Sequence, residues 1–180
     1  MARQETQASV VSWAEQTFGP AHSDLRVATR VHEELLELSK AVLSGESDER
    51  IREEAADVAI CLYRLAAVLG SDLDRRSQQA VMMGQAKELV PETDSPARAV
   101  LRAETKLVVA KNMIADSFPR TRTLQEVTAV RVILEEVVAR HGGSLTDEVD
   151  AKMSINRSRV WRLDGTGHGY HEPQAAELTA

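Results

Sequence analysis

Apolar residues recur at spacings of three and four along almost the whole chain, the period of a helix with one buried face. Residues 5–18 place Val10, Val11, Trp13, Ala14 and Phe18 on this pattern and stop at Gly19-Pro20. Residues 23–43 open at a Ser23/Asp24 cap and align Leu25, Val27, Ala28, Val31, Leu35, Leu38 and Val42. Ser44-Gly45-Glu46-Ser47 reads as a turn. Residues 48–69 follow, with Ile51, Ala55, Val58, Leu62, Leu65 and Leu69 on one stripe, and a shorter helix covers 72–89. The stretch from Leu89 to Pro96 is the clearest linker in the chain. Three more helices are predicted at 96–117, 121–141 and 145–159, separated by Pro119 and by Gly142-Gly143. The tail from Asp164 to Pro173 is too rich in glycine for a helix and reads as a loop or an extended arm. No strand signal survives, so the predicted fold class is all-α.

The two halves of this pattern resemble each other. Ser39-Lys40 lies over Ala110-Lys111 at an offset of 71, which sets Glu33 on Glu104. In the next helix the offset becomes 73, pairing Ile51 with Leu124, Glu53 with Glu126 and Ile60 with Ile133. Around Met82 and Met153 it is 71 again. This reads as duplication of a helical unit of about 70 residues. The expected layout is a first unit at 1–90, a second at 91–160 and an arm at 161–180, the two units packing as a pseudo-dimer in one bundle.

Composition narrows the classes. Apolar residues make up 43 % of 180 residues, enough for a core, and aromatics only 3 %. A core of Leu, Val, Ile, Ala and Met suits packed helices better than a β-sandwich. The net charge of −6 argues against a nucleic-acid binder, which needs a basic face. The lone Cys61 sits in the apolar run 58–62 and reads as core. No apolar stretch is long enough to span a bilayer, and Met1 to Thr6 has no signal-peptide character. A soluble, cytoplasmic setting is expected.

The chemistry lies in the acids. Glu33, Glu34 and Glu37 share one face of the second predicted helix, and Glu54 and Asp57 are an i, i+3 pair on the third. Sixteen residues lie between Glu37 and Glu54, so the hairpin around Gly45 can bring both acidic faces together. Like charges about 4 Å apart repel by roughly 4 kcal/mol at an effective dielectric near 20. Such a cluster must share protons or bind a cation, and hard oxygen donors select Mg²⁺, Mn²⁺ or Ca²⁺ rather than Zn²⁺. A solvated acidic face is the plain alternative. The flanking apolar residues Leu35, Leu36, Leu38, Ala55, Ala56 and Val58 set these acids beside the inter-helix seam instead.

Glu33-Glu34-x-x-Glu37, a turn, then Glu54-x-x-Asp57 and an apolar run resembles the E-E-x-x-E…E-x-x-D pattern of the MazG-like all-α nucleoside triphosphate pyrophosphohydrolases. The resemblance covers roughly residues 23–88 and, more weakly, 97–160. It implies Mg²⁺-dependent cleavage between the α- and β-phosphates of a nucleoside triphosphate, releasing a monophosphate and pyrophosphate. Glu34, Glu37, Glu54 and Asp57 would then hold the metal, with Mn²⁺ as a substitute. Glu33 would be an outer carboxylate, a second-metal ligand or the group orienting the attacking water, with Glu37 sharing the catalytic work.

Lys152, Asn156 and Arg159 share one face of the last predicted helix, suited to phosphate oxygens and a sugar or ester oxygen. They resemble the Lys…Asn…Arg element that ends MazG-like domains. At the repeat offsets they fall on Val81, Gln85 and Glu88, while Glu34, Glu37, Glu54 and Asp57 fall on Thr105, Val108, Val127 and Val130. Each half keeps what the other lacks, which implies one composite site and departs from family members carrying both elements in one unit. Trp161, His168, Tyr170 and His171 follow the basic helix; packing on the surface or in a subunit contact is expected, with a lid over the base as the alternative. The competing function is a catalytically silent helical protein that binds a nucleotide or a protein partner. Phosphoribosyl-ATP hydrolysis is disfavoured because those enzymes are shorter single units. The sequence leaves room for a homodimer of the single-chain pseudo-dimer.

Overall fold

The computed structural model describes residues 4–163, 165 and 169–171, without the side chains of Tyr170 and His171. The described residues form an all-α bundle with one small hairpin. Its elements are α1 (Gln7–Phe18), α2 (Asp24–Ser44), α3 (Asp48–Val68), α4 (Leu73–Met82), α5 (Gln85–Leu89), α6 (Pro96–Ala115), α7 (Arg120–Arg140), α8 (Leu145–Ser158), β1 (Trp161–Leu163) and β2 (Gly169–His171).

Local chemistry sets these limits. Ser23 and Ser47 accept the backbone N–H of Arg26 and Arg50 and so open α2 and α3. Gly45 closes α2 in the left-handed region at φ 66°, which turns α3 back along α2. Two expectations change. The helix predicted over 72–89 divides, because Gly84 adopts φ 77° and breaks the helical path between α4 and α5. The tail is not strand-free: Trp161 pairs with His171 and Leu163 with Gly169 in an antiparallel ladder. Strands of three residues are too short for alternation to register in a sequence.

The hairpin α2–α3 packs beside the hairpin α6–α7 through α2 on α6 and α3 on α7. Two further helix pairs cross over, α8 lying on α3 and α4 on α7, while α1 packs on α3. A continuous core runs through both hairpins, built from Leu35, Leu38, Leu62, Tyr63, Leu65, Leu107, Ile133, Leu134 and Met153. His32 faces the α2–α6 seam and meets Lys111 Nζ at 3.1 Å.

The seating of α8 on α3 positions the site. Arg52 of α3 donates to Glu148 of α8 at 2.7 Å and to the His141 carbonyl at 2.8 Å. Gly143, in the turn before α8, leaves room for this side chain; a Cβ there would stand 2.2 Å from Arg52 Cδ. At the far end Arg157 donates to both oxygens of Glu5 at 2.9 and 3.0 Å. Asp150 accepts the backbone N–H groups of Gln4 and Glu5. No described helix is long and apolar enough to cross a membrane.

Candidate metal centre and its cleft

On α2, Glu34 sits between the core residues Val31, Leu35 and Leu38, so its carboxylate is drawn into the seam and is only 7 % exposed. On α3, Glu54 and Asp57 flank the buried pair Ala55 and Ala56, and Glu54 is 3 % exposed. One oxygen from each of Glu34, Glu54 and Asp57 lies within 4.8 Å of the others. Glu37, one turn after Glu34, lines the same cleft but stays exposed to solvent.

The cleft holds about 360 Å³ and lies among α1, α2, α3, α8 and the terminal hairpin. Lys152, Asn156 and Arg159 form the wall opposite the acids. Lys152 Nζ stands 2.5 Å from Asp57 Oδ2. Asn156 is buried, accepts a 3.3 Å hydrogen bond from Arg159 on its side-chain oxygen, and takes the indole N–H of Trp161 on its carbonyl at 2.9 Å. Seven predicted site residues therefore meet in one cavity: four acids, Lys152 and Asn156 of α8, and Arg159, which lies just past the helix in extended backbone rather than on its face as expected. Glu33 does not line it; its side chain is 51 % exposed and holds Arg30 at 3.0 Å.

Burial and crowding raise the acids. Loss of solvent pushes Glu34 up to about 7, reinforced by Asp57, Glu37 and Glu54 and opposed by Arg30. Burial likewise raises Glu54, against the pull of Arg50, and Asp57, against Lys152 and Arg159. The ion pairs thus fall short of compensating the lost hydration. Burial also raises the Cys61 thiol, so this half-buried residue on the cleft wall is no thiolate nucleophile at neutral pH.

The sequence reading overlooked five residues here. Arg30 pairs with Glu34 and Arg50 with Glu54, each one helical turn away. Their signal was legible: Arg-x-x-Glu-Glu occurs at 30–34 and again at 50–54. Arg64 of α3 lines the cleft, sits 5.8 Å from the centre of the Phe18 ring, and is held below its usual range by burial. Trp13 and Phe18 of α1 join Trp161 in a cluster of edge-to-face rings with centres 5.1–5.9 Å apart. This cluster walls one end of the cleft, and Trp161 belongs to the site rather than to the outer surface. His168 and the side chains of Tyr170 and His171 lie outside the described residues.

No family model matches this chain, and no curated protein or solved structure does. Its chemistry therefore has to be read from the cleft. The convergent carboxylate oxygens of Glu34, Glu54 and Asp57 could hold a metal ion. Nitrogen and sulfur donors suited to Zn²⁺ are missing from that set. Cations opposite the acids suit phosphate oxygens, and a ring cluster suits a flat apolar group.

Proposed function

We propose that this chain is a Mg²⁺-dependent nucleoside triphosphate pyrophosphohydrolase, releasing a nucleoside monophosphate and pyrophosphate. One observation carries the reading: a single cleft sets three convergent carboxylates against Lys152, Asn156 and Arg159, with aromatic rings at one end. Glu34, Glu54 and Asp57 would hold the cation, Mg²⁺ or its substitute Mn²⁺, with Glu37 beside them. Bound there, the cation would supply Lewis acidity toward the α-phosphate and a more acidic water.

The protein's own groups do the rest. Lys152 and Arg159 offset charge growing on the leaving pyrophosphate. The amide of Asn156 donates to a sugar or ester oxygen. Trp13, Phe18 and Trp161 receive the base and exclude water from that end. Glu37, solvent-accessible and next to the buried acids, orients the attacking water. No covalent nucleophile is needed. The acids come from the first repeat and the bases from the second, which supports reading the chain as a duplicated unit with one composite site. The reaction suits the nucleotide pool of the cytoplasm.

Incubating the chain with a panel of canonical and base-modified ribo- and deoxyribonucleoside triphosphates tests the reading. Pyrophosphate and monophosphate should appear with Mg²⁺ and not with excess EDTA. A second reading, a silent nucleotide-binding protein, is favoured by the in-chain cation partner that each of the three carboxylates already has. Nucleotide binding with no pyrophosphate from any member of the panel would establish it instead.

A further inference from the structure

The same three-residue device occurs on both sides of the acid cluster. On α2, Arg30 reaches the buried Glu34 with one terminal nitrogen and the exposed Glu33 with the other, the latter at 3.0 Å. On α3, Arg50 reaches the buried Glu54 with one terminal nitrogen and the exposed Glu53 with the other, the latter at 3.3 Å. Each arginine precedes its glutamates by three and four residues. Because α2 and α3 run in opposite directions, the arginines close on the cluster from opposite ends. Both arginines line the cleft, and their side chains are 39 % and 47 % exposed, so they have room to turn.

A divalent cation seated on Glu34, Glu54 and Asp57 would compete for these carboxylates with Arg30, Arg50 and Lys152, which already pair with one oxygen of each. Each displaced arginine keeps its outer glutamate as a tether, Glu33 for Arg30 and Glu53 for Arg50. The cleft lining carries five cationic and four anionic side chains. A metal alone would leave it strongly positive, and a triphosphate would restore the balance.

Resting on the reading of this cleft as a metal–triphosphate site, we infer that Arg30 and Arg50 exchange partners. They hold Glu34 and Glu54 in the empty cleft and take phosphate oxygens once a divalent cation claims those carboxylates. Glu33 and Glu53 are the positioning residues that keep each guanidinium at the rim during the exchange. The cleft thereby resists a bare metal ion and accepts the metal and the polyphosphate together. A guanidinium suits both partners, since it matches carboxylate and phosphate geometry equally.

The test uses two probes that need no knowledge of the base. Mn²⁺ alone is titrated by the loss of its free electron-paramagnetic signal, and magnesium tripolyphosphate by calorimetry in excess Mg²⁺. Arg30→Gln and Arg50→Gln should bind Mn²⁺ more tightly than the parent chain, and magnesium tripolyphosphate about tenfold more weakly. Glu53→Gln, which touches no proposed metal ligand, should weaken tripolyphosphate about threefold and so report the anchor separately. Arg50→Lys should recover part of the tripolyphosphate affinity. If Mn²⁺ binds but the arginine variants leave tripolyphosphate affinity unchanged, the exchange is wrong and the metal site stands. If no variant binds Mn²⁺ at all, the metal site and the exchange both fall.

Discussion

The two central helical hairpins, α2–α3 and α6–α7, fill their seams with opposite chemistry. In α2–α3 the seam carries Glu34, Glu54 and Asp57 and opens into the cleft. In α6–α7 the positions at the repeat offsets are Thr105, Val127 and Val130; both valines are fully buried, and the Thr105 hydroxyl turns back to donate to the Leu101 carbonyl. The helix laid across each seam differs in the same sense. α8 and the residue that caps it bring Lys152 and Arg159 to the acids, whereas Val81 and Glu88, at the corresponding offsets, are exposed residues on and beyond α4. A second groove of about 430 Å³ does lie between α4–α5 and α7, lined by Gln85, Glu88 and the ion pair Lys106–Glu126. No carboxylate cluster suited to a metal occurs there among the described residues. Packing two such hairpins therefore needs no acids. The acids of the α2–α3 seam carry a cost in burial that the valines of the α6–α7 seam avoid.

The sharpest way to break this contrast is to remove one buried acid. Asp57→Asn should lower turnover by about 10³-fold or more while the far-ultraviolet circular dichroism keeps its helical form. Retained activity would dismiss the metal scheme. Carrying an acid in the other direction should be felt in stability. Val130→Asp puts an unpartnered carboxylate into a fully buried position of the second seam, with no lysine facing it from α4. A loss of about 3–5 kcal/mol in urea unfolding is expected, with no new activity.

The third test reads the seam through pH. Glu34 carries its proton up to about 7 because it is buried among Asp57, Glu37 and Glu54. A metal must displace that proton, so Mn²⁺ affinity should fall as pH drops below about 7, by up to tenfold per unit. Stability of the metal-free chain follows the opposite course. The folded chain keeps the proton to about 7 and the unfolded chain releases it near 4.5, so this group's contribution is full below 4.5 and is lost as pH rises through 7. Denaturant titrations across that range, with and without Mn²⁺, should slope in opposite directions.

Much of this was legible before any coordinates. The helical stripes placed α2, α3, α6, α7 and α8 within a few residues, because each has a wide apolar face and a polar or proline stop. Spacing within one helix and a single short turn sufficed to bring Glu34 to Glu54 and Asp57. The approach of Lys152 to Asp57 joins residues far apart in sequence and was legible only through the repeat offsets. Three features were harder to read. Gly84 can be tolerated inside a helix or end one, and tertiary packing decides which. The β1–β2 hairpin has too few residues for a period. The ring cluster joins Trp13 and Phe18 to Trp161 across nearly the whole chain, and nothing local marks such an encounter. Arg30 and Arg50 were overlooked for another reason: an arginine one turn from a glutamate is ordinary on exposed helices, and only the burial of its partner gives it weight.

Gly143 bears on the chemistry without touching it. Lys152 follows Glu148 by one helical turn, so the contact that seats Glu148 on α3 lies beside the one that joins Lys152 to Asp57. The seat is Arg52, and Arg52 fits only because the bend above it carries a hydrogen where any other residue would carry carbon. The seating of the basic helix on the acidic one thus leans on a remote, uncharged bend, where a single added methyl group would have to push Arg52 aside.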